Sequence, residues 1–367
     1  MMKYKNIYVA ATSQHIGKTT TTLGLVKSFL NQGINVGYCK PVGQQYVSYL
    51  NHKVDKDAVL FADLIGMEVD PKLHSPVIFE KGTTELILDN PEELALQPLI
   101  LHAKRELNKM HELTIFEGTG HPGVGTIANL SNARVAKLLD AGVIMVVEGG
   151  IGSTIDMLNM TTSLFREEGV PILGVIVNKV IEDKQEKVTR YLTKWLDTQG
   201  LNLLGVIPYD KTLAYPLVRT ICAAIKGEVI MHQDNMYNRV AEVIGGSVVN
   251  MTELKDFQDL LLLTGARLIN RAIHKIVSFS TYKEIDHSPL AGIVITGEGK
   301  LSKESIDYIN HFKIPVIQTK LETYGVGLKI SRLEVKINRR TPWKVLKAIA
   351  LVNQYVNLAE LKKEIEI

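Results

Sequence analysis

Short uncharged runs rich in Val, Ile and Leu alternate with segments of helical spacing through the first 210 residues. The runs are Ile7–Ala11, Asn35–Cys39, Leu113–Glu117, Val143–Glu148, Ile172–Asn178 and Leu203–Ile207. Each is apolar at successive positions rather than at alternate ones, so each predicts a strand buried on both faces, as in a parallel sheet. The segments between them predict helices that serve as right-handed crossovers. The first, from Thr20, places Leu23, Val26, Phe29 and Leu30 on one helical face. Polar residues gather at the C-terminal ends of the runs, the edge where open α/β sheets hold ligands.

The pattern changes after Ile207-Pro-Tyr-Asp210. Val218, Ile221, Ala224 and Ile225 have helical spacing and precede Gly227-Glu-Val-Ile-Met231. A second α/β set follows, with strands expected at Leu260–Leu263, Lys275–Phe279, Gly292–Ile295 and Pro315–Gln318, and helices at Leu268–Ala272 and Lys303–Phe312. The tail from Trp343 to Ile367 reads as helical, with Leu346, Ile349, Val352 and Val356 near one face. The expected fold class is therefore α/β throughout. A parallel sheet with helices on both faces spans 1–210, a smaller α/β domain spans 211–330, and a helical tail spans 331–367. No internal repeat or low-complexity linker separates them.

The densest chemistry lies between the first strand and the first helix, in Thr12-Ser13-Gln14-His15-Ile16-Gly17-Lys18-Thr19-Thr20. A strand, a tight loop ending in Gly-Lys-Thr and a helix make a phosphate-binding loop. Backbone N–H groups and the positive end of the helix dipole favour an anion at one point. Lys18 can add a mobile charge for the β- and γ-phosphates, and Thr19 a hydroxyl for Mg²⁺. Thr12 stands where such loops usually carry their first Gly. The chain is thus expected to bind a nucleoside triphosphate through residues 12–20.

Further candidates stand at other strand ends. Lys40, in Tyr38-Cys-Lys-Pro-Val42, is either a head group aimed at the loop or a solvated surface Lys. Asp57, in Val54-Asp-Lys-Asp-Ala58, can cap a helix or hold Mg²⁺, and Asp55 is an equally good carboxylate by composition. Glu117 precedes Gly118-Thr-Gly120, where a carboxylate can serve Mg²⁺ or an attacking water, or solvate a loop. Asn178 offers a donor and an acceptor for a base edge, or forms a turn. Glu148 and Glu298 occupy similar ends with open roles, and Gly297-Glu-Gly299 can bind a small ligand or form a tight turn without one.

Composition narrows the classes. Hydrophobic residues make up 46% and charged residues 22% of the 367, as in a folded globular chain, and a net charge of +3 gives no reason to expect nucleic acid or membrane as partner. The ten His show no metal-ligand pairing. Cys39 and Cys222 form no C-x-x-C and point to a reducing compartment. No apolar run approaches the ~20 residues of a membrane helix, and Met1–Ala11 is too short and polar for a signal peptide. The expectation is a soluble cytoplasmic protein.

Taken together, Ala11–Thr19, Lys40-Pro-Val42, Lys56-Asp-Ala58, Glu117-Gly118 and Val175-Ile-Val-Asn178 resemble, in order and spacing, the ATP site of dethiobiotin synthetase-like proteins. Those are P-loop enzymes that form amide or cyclic urea bonds with ATP and Mg²⁺. The resemblance covers about residues 4–210. It implies Lys18 and Thr19 on phosphates and Mg²⁺, Lys40 near the γ-phosphate or substrate, Asp57 and Glu117 at Mg²⁺, and Asn178 at adenine. Lys18, Lys40 and Glu117 are then the catalytic candidates, and pairing of two chains across the nucleotide face is implied as well. The second half resembles a DRTGG domain through Thr264-Gly-Ala-Arg267, Thr296-Gly-Glu298, Pro315-Val-Ile-Gln-Thr319 and Glu322-Thr-Tyr324, although Ala266 and Glu298 replace that family's Asp and second Gly. The two in this order resemble the N-terminal part of long-form phosphotransacetylases. Because the sequence stops at Ile367, the expectation is that it does not make acetyl phosphate itself.

The departures are selective. Enzymes that make dethiobiotin carry Asp, Thr and Glu where Ser13, Gln14 and His15 stand, Ser at the position of Gln44, and Lys at that of Gly150. Nucleotide-handling positions are kept and substrate-handling positions are not. The leading expectation is an ATP- and Mg²⁺-binding regulatory protein or slow ATPase whose second domain senses a small molecule or touches a partner. The alternatives are an ATP-dependent amide-forming ligase acting on a carboxylate, and a scaffold with a vestigial site.

Overall fold

The computed structural model describes residues 4–90, 95–245, 257–333, 335–338 and 340–365. Its contacts divide the chain into two compact units, one made of Met1–Asp210 with Ile337–Ile367, the other of Lys211–Lys336. The smaller unit is thus an insertion, and the chain returns to the first unit near its end.

The first unit is built on a six-stranded sheet whose order is Leu203–Pro208, Ile172–Val180, Ala141–Glu148, Asn6–Ala11, Leu113–Glu117 and Val36–Cys39. Every pairing in it is parallel. Asn6–Ala11 and Leu113–Glu117 are buried at every position, which explains why they read as continuous apolar runs. Each fully buried Val or Ile contributes about 1.5–3 kcal/mol, and the neighbouring strand Ala141–Glu148 alone buries four of them, Val143, Ile144, Val146 and Val147. The first strand is central; the chain crosses from it to the edge strand Val36–Cys39, returns to Leu113–Glu117 between them, and then runs outward on the other side. That places a topological switch point beside its C-terminal end, the position at which α/β sheets open a crevice.

The helix that follows, Lys18–Asn31, buries Thr22, Leu25, Val26 and Phe29. Helix Pro342–Tyr355 packs on it at close range. A Cβ on Gly24 would lie 2.2 Å from Val352 Cγ2, so only Gly permits this approach, and Ser28 Oγ donates to Asn353 Oδ1 at 2.5 Å. The expected helical tail is thus two helices, Pro342–Tyr355 and Leu358–Lys362, with Val356 and Asn357 between them bonding back to Gly205 and Leu204. Its buried face also differs from the expected one. Lys344, Ala348, Leu351 and Val352 face inward, while Leu346 is 68% exposed.

The second unit holds a five-stranded sheet in the order Glu228–Met231, Val316–Thr319, Leu290–Thr296, Leu260–Gly265 and Glu242–Gly245. Glu228–Met231 runs antiparallel at one edge and the rest are parallel. The strand expected at Lys275–Phe279 is instead the second half of helix Ile269–Tyr282. Its Ile276-Val277 pair with Phe279 resembles a strand locally, but Ile269, Ala272, Ile273, Ile276 and Ser280 share one buried face at helical spacing.

Candidate functional site

Four strand-end segments of the first unit meet around the start of helix Lys18–Asn31. Thr12 is buried, and its N–H continues the sheet by donating to Val146 O at 3.1 Å. Gln14 and His15 are exposed, Ser13 is half-buried, and Ile16 is buried beneath them. His15 and Gly17 take left-handed backbone, φ 60 and φ 108. Gly17 caps the helix without a side chain, so no capping group competes for the first-turn N–H groups of Lys18, Thr19 and Thr20. A Cβ at Gly17 would lie 2.2 Å from Asn178 Nδ2, a second reason for Gly there.

Lys18 is 9% exposed and folds over the loop, its Nζ donating to Gly120 O at 2.6 Å and to Ser13 O at 3.3 Å. Thr19 donates its hydroxyl to Glu117 Oε1 at 2.8 Å. Lys40 Nζ lies 2.9 Å from that same Glu117 oxygen and 2.9 Å from Asp57 Oδ2. Lys40 is therefore the buried head group and not the solvated Lys. The two neighbouring aspartates divide the work: Asp55 Oδ1 accepts from Asp57 N at 2.9 Å and is the N-cap of helix Lys56–Ile65, which leaves the Asp57 carboxylate to face Lys40.

Three carboxylates, Asp55, Asp57 and Glu117, surround Lys40. Burial opposes the Lys40 charge, but the acids outweigh it and raise its pKa, so it stays an ammonium. Burial raises Glu117 despite Lys40, and pushes Asp55 up to about 6 with repulsion from Asp57 adding to the effect. A divalent cation beside these acids would oppose that rise.

The donor set fits a divalent ion held jointly with phosphate. Thr19 gives its hydrogen to Glu117 and keeps oxygen lone pairs for a metal, while Asp57 and Glu117 offer hard oxygen ligands. Among the described residues no group of three or more His, Cys, Asp or Glu could hold a metal alone. An ion here would need Thr19 and phosphate oxygens to complete its shell.

Asn178 fastens the loop. Its Nδ2 donates to Ile16 O at 2.8 Å and its Oδ1 accepts from Lys179 N at 2.9 Å. The sequence reading missed several supports. Lys179, itself left-handed at φ 59, donates from Nζ to His15 O at 2.6 Å. Tyr38 stacks on Phe61 with ring centroids 3.6 Å apart and donates its hydroxyl to Glu117 Oε2 at 3.3 Å. Asn132 binds the Gly-rich loop after Glu117, accepting from Tyr8 OH at 2.6 Å and Thr119 N at 3.0 Å, and donating to Thr119 O and His121 O. The Thr119 hydroxyl is bonded to Val42 O. Lys179 follows Asn178 directly in sequence. Tyr38 reaches Glu117 across 79 residues and Asn132 reaches Tyr8 across 124, while the other Asn132 bonds span 11–13.

In the second unit, Glu298 and Arg267 are exposed at the ends of Leu290–Thr296 and Leu260–Gly265. The buried Thr296 shares a 2.9 Å hydrogen bond with Thr323, and Thr319 donates to Ile225 O at 3.2 Å.

Several known proteins are similar to this chain. The chain is 24% identical to phosphate acetyltransferase of Acinetobacter baylyi over 98% of its own length but 52% of that protein's, so it spans about half the length of this relative. It is 30% identical to the ATP-dependent dethiobiotin synthetase BioD of Methanococcus vannielii over 55% of its own length and 92% of that protein's. Among solved structures, MinD cell division protein of Aquifex aeolicus superposes with a TM-score of 0.38 at 15% identity, covering 57% of this chain and 84% of MinD. The model of the family described as AAA domain matches residues 5–216, the stretch that contains the phosphate loop, Lys40, Asp57, Glu117 and Asn178, and the chain belongs to that family.

Proposed function

We propose that the first unit binds ATP with Mg²⁺ at residues 12–20 and that the protein acts as a nucleotide-dependent regulator or slow ATPase, with the DRTGG-like second unit sensing a small molecule or partner. The observation that carries the reading is the convergence of Lys18, Thr19, Lys40, Asp57 and Glu117 on one rim beside a helix N-terminus. In this reading Lys18 and the first-turn N–H groups take the β- and γ-phosphates. Thr19 and the two carboxylates hold Mg²⁺, which neutralises phosphate charge. Asn178 keeps the loop in its left-handed path, and the second hydrogen of its Nδ2 is left for the adenine edge. The rim belongs to one protomer, and pairing of two chains across it is part of the proposal.

A second reading, an ATP-dependent ligase that phosphorylates a carboxylate for attack by an amine, is favoured by the 30% identity to dethiobiotin synthetase. Lys40 and the loop would stabilise the developing charge. Ser13, Gln14, His15, Gln44 and Gly150 weigh against dethiobiotin itself as the product.

Calorimetric titration with ATP in excess Mg²⁺ tests the proposal. One site per chain is expected, much weakened when Mg²⁺ is chelated and lost in Lys18→Ala. Equal affinity with and without Mg²⁺, or binding untouched by Lys18→Ala, would overturn it. ADP release stimulated by a carboxylate and amine pair would favour the ligase reading, and ADP release indifferent to added substrates the regulator.

A further inference from the structure

The reading above gives Asp57 and Glu117 to a divalent ion, yet both already share a cation of the protein's own. Lys40 Nζ stands 2.9 Å from each carboxylate, and Thr19 bonds to the same Glu117 oxygen. The Lys40 side chain is 6% exposed and that of Glu117 1%, so water does little to screen the attraction. We infer that Lys40 is a tethered counter-ion that competes with the divalent ion for Asp57 and Glu117, and that an arriving triphosphate admits the metal by drawing the ammonium onto its own oxygens. The inference rests on the phosphate-site reading and adds an order to it, nucleotide together with or before metal.

Two features of the chain support the competition. First, the position is exclusive. The Lys40 ammonium lies in contact with both carboxylates, and a second cation held by the same two groups would be repelled strongly at low dielectric. Second, the backbone of Lys40 is pinned while its head is not. Its N–H donates to His74 O at 2.9 Å and Pro41 follows, but the four-carbon stem can swing. The exchange forms and breaks no covalent bond. The ammonium would pass from carboxylate to phosphate oxygen, leaving Asp57 and Glu117 as hard oxygen ligands for a divalent ion.

Mn²⁺ binding to nucleotide-free protein, read from the electron paramagnetic resonance of free Mn²⁺, tests the inference in wild type, Lys40→Met and Lys40→Arg. Lys40→Met is expected to bind Mn²⁺ at least tenfold more tightly than wild type, while Lys40→Arg, which keeps the charge, stays as weak as wild type. Equal Mn²⁺ affinity in wild type and Lys40→Met would overturn it, as would tight Mn²⁺ binding by wild type alone. If Lys40→Met does not fold, Lys40→Gln serves, because its amide can still donate to a carboxylate without carrying charge. A separate ATP titration in excess Mg²⁺ keeps the two claims apart. ATP binding with no Mn²⁺ gain in the variant rejects the exchange and leaves the phosphate site. A Mn²⁺ gain with no ATP binding in any form rejects the nucleotide reading and leaves the competition.

Discussion

The two units end their parallel strands in similar Gly- and Thr-containing turns but put different chemistry there. At the rim of the first unit Lys18, Lys40, Asp55 and Glu117 are all buried. Among the described residues of the second unit no charged side chain is buried, and its buried rim hydroxyls are taken up locally, Thr296 with Thr323 and Thr319 with Ile225. A strand end alone is therefore not a reactive site. Buried charge is costly unless compensated, and a fold that keeps several buried charges in mutual contact has an arrangement that a ligand can complete. The second unit pays no such cost, and its Glu298 and Arg267 remain in solvent.

The strongest way to break this contrast is Gly17→Ala. A Cβ there must take φ 108 and meet Asn178 Nδ2 at 2.2 Å, so ATP affinity should fall by about 100-fold or more in calorimetry. Unchanged affinity would mean that the left-handed loop is not the phosphate cradle. Glu117→Gln comes next. It removes one partner of a buried pair but leaves Asp57 to Lys40, and should destabilise the first unit by about 3 kcal/mol. Trp195 and Trp343 are the two tryptophans and both belong to that unit. Their fluorescence in a urea melt therefore isolates the effect, and a loss below about 0.5 kcal/mol would show the pair to be energetically idle.

A smaller effect is expected at Lys344, fully buried on helix Pro342–Tyr355, where burial pushes its pKa down to about 8 from 10.5. Below pH 8 both folded and unfolded chains carry the proton, and the folded state bears the net penalty that lowers the pKa. Between pH 8 and 10.5 the folded state releases it first, so the contribution of Lys344 to stability improves as pH rises. Lys344→Met should stabilise the first unit at pH 7 by about 2 kcal/mol and remove that rise. The same tryptophan melt at pH 7 and pH 10 reads both effects, and a variant less stable than wild type at pH 7 would assign Lys344 a supporting contact instead. The smallest effect belongs to Glu298→Gln in the second unit, expected to change stability by less than about 0.5 kcal/mol and to leave ATP binding unaltered. A loss of ATP affinity there would end the contrast.

The contrast also explains what could be read from sequence. The sheet strands were legible because burial on both faces leaves them uniformly apolar. Edge strands Glu228–Met231 and Glu242–Gly245 alternate with exposed positions and are too short to stand out. Lys275–Phe279 misled because its Ile276-Val277 pair with Phe279 looks the same in a strand and in a helix. At the rim, Lys18, Thr19, Lys40 and Glu117 follow from their positions after apolar runs. Asp55 and Asp57 could not be told apart until the helix start was fixed, because capping depends on a single residue of register. Asn132, Tyr38 and Lys179 hold the site through contacts distant in sequence, which residue spacing does not encode.

Hydrogen–deuterium exchange with and without ATP and Mg²⁺ tests the central claim most directly, because both rims are read in one experiment. The account predicts slower exchange at residues 12–20, 117–121 and 178–179, with residues 264–267 and 296–300 slowed far less or not at all. Protection confined to the strand ends of the second unit, with the phosphate loop unchanged, would contradict it.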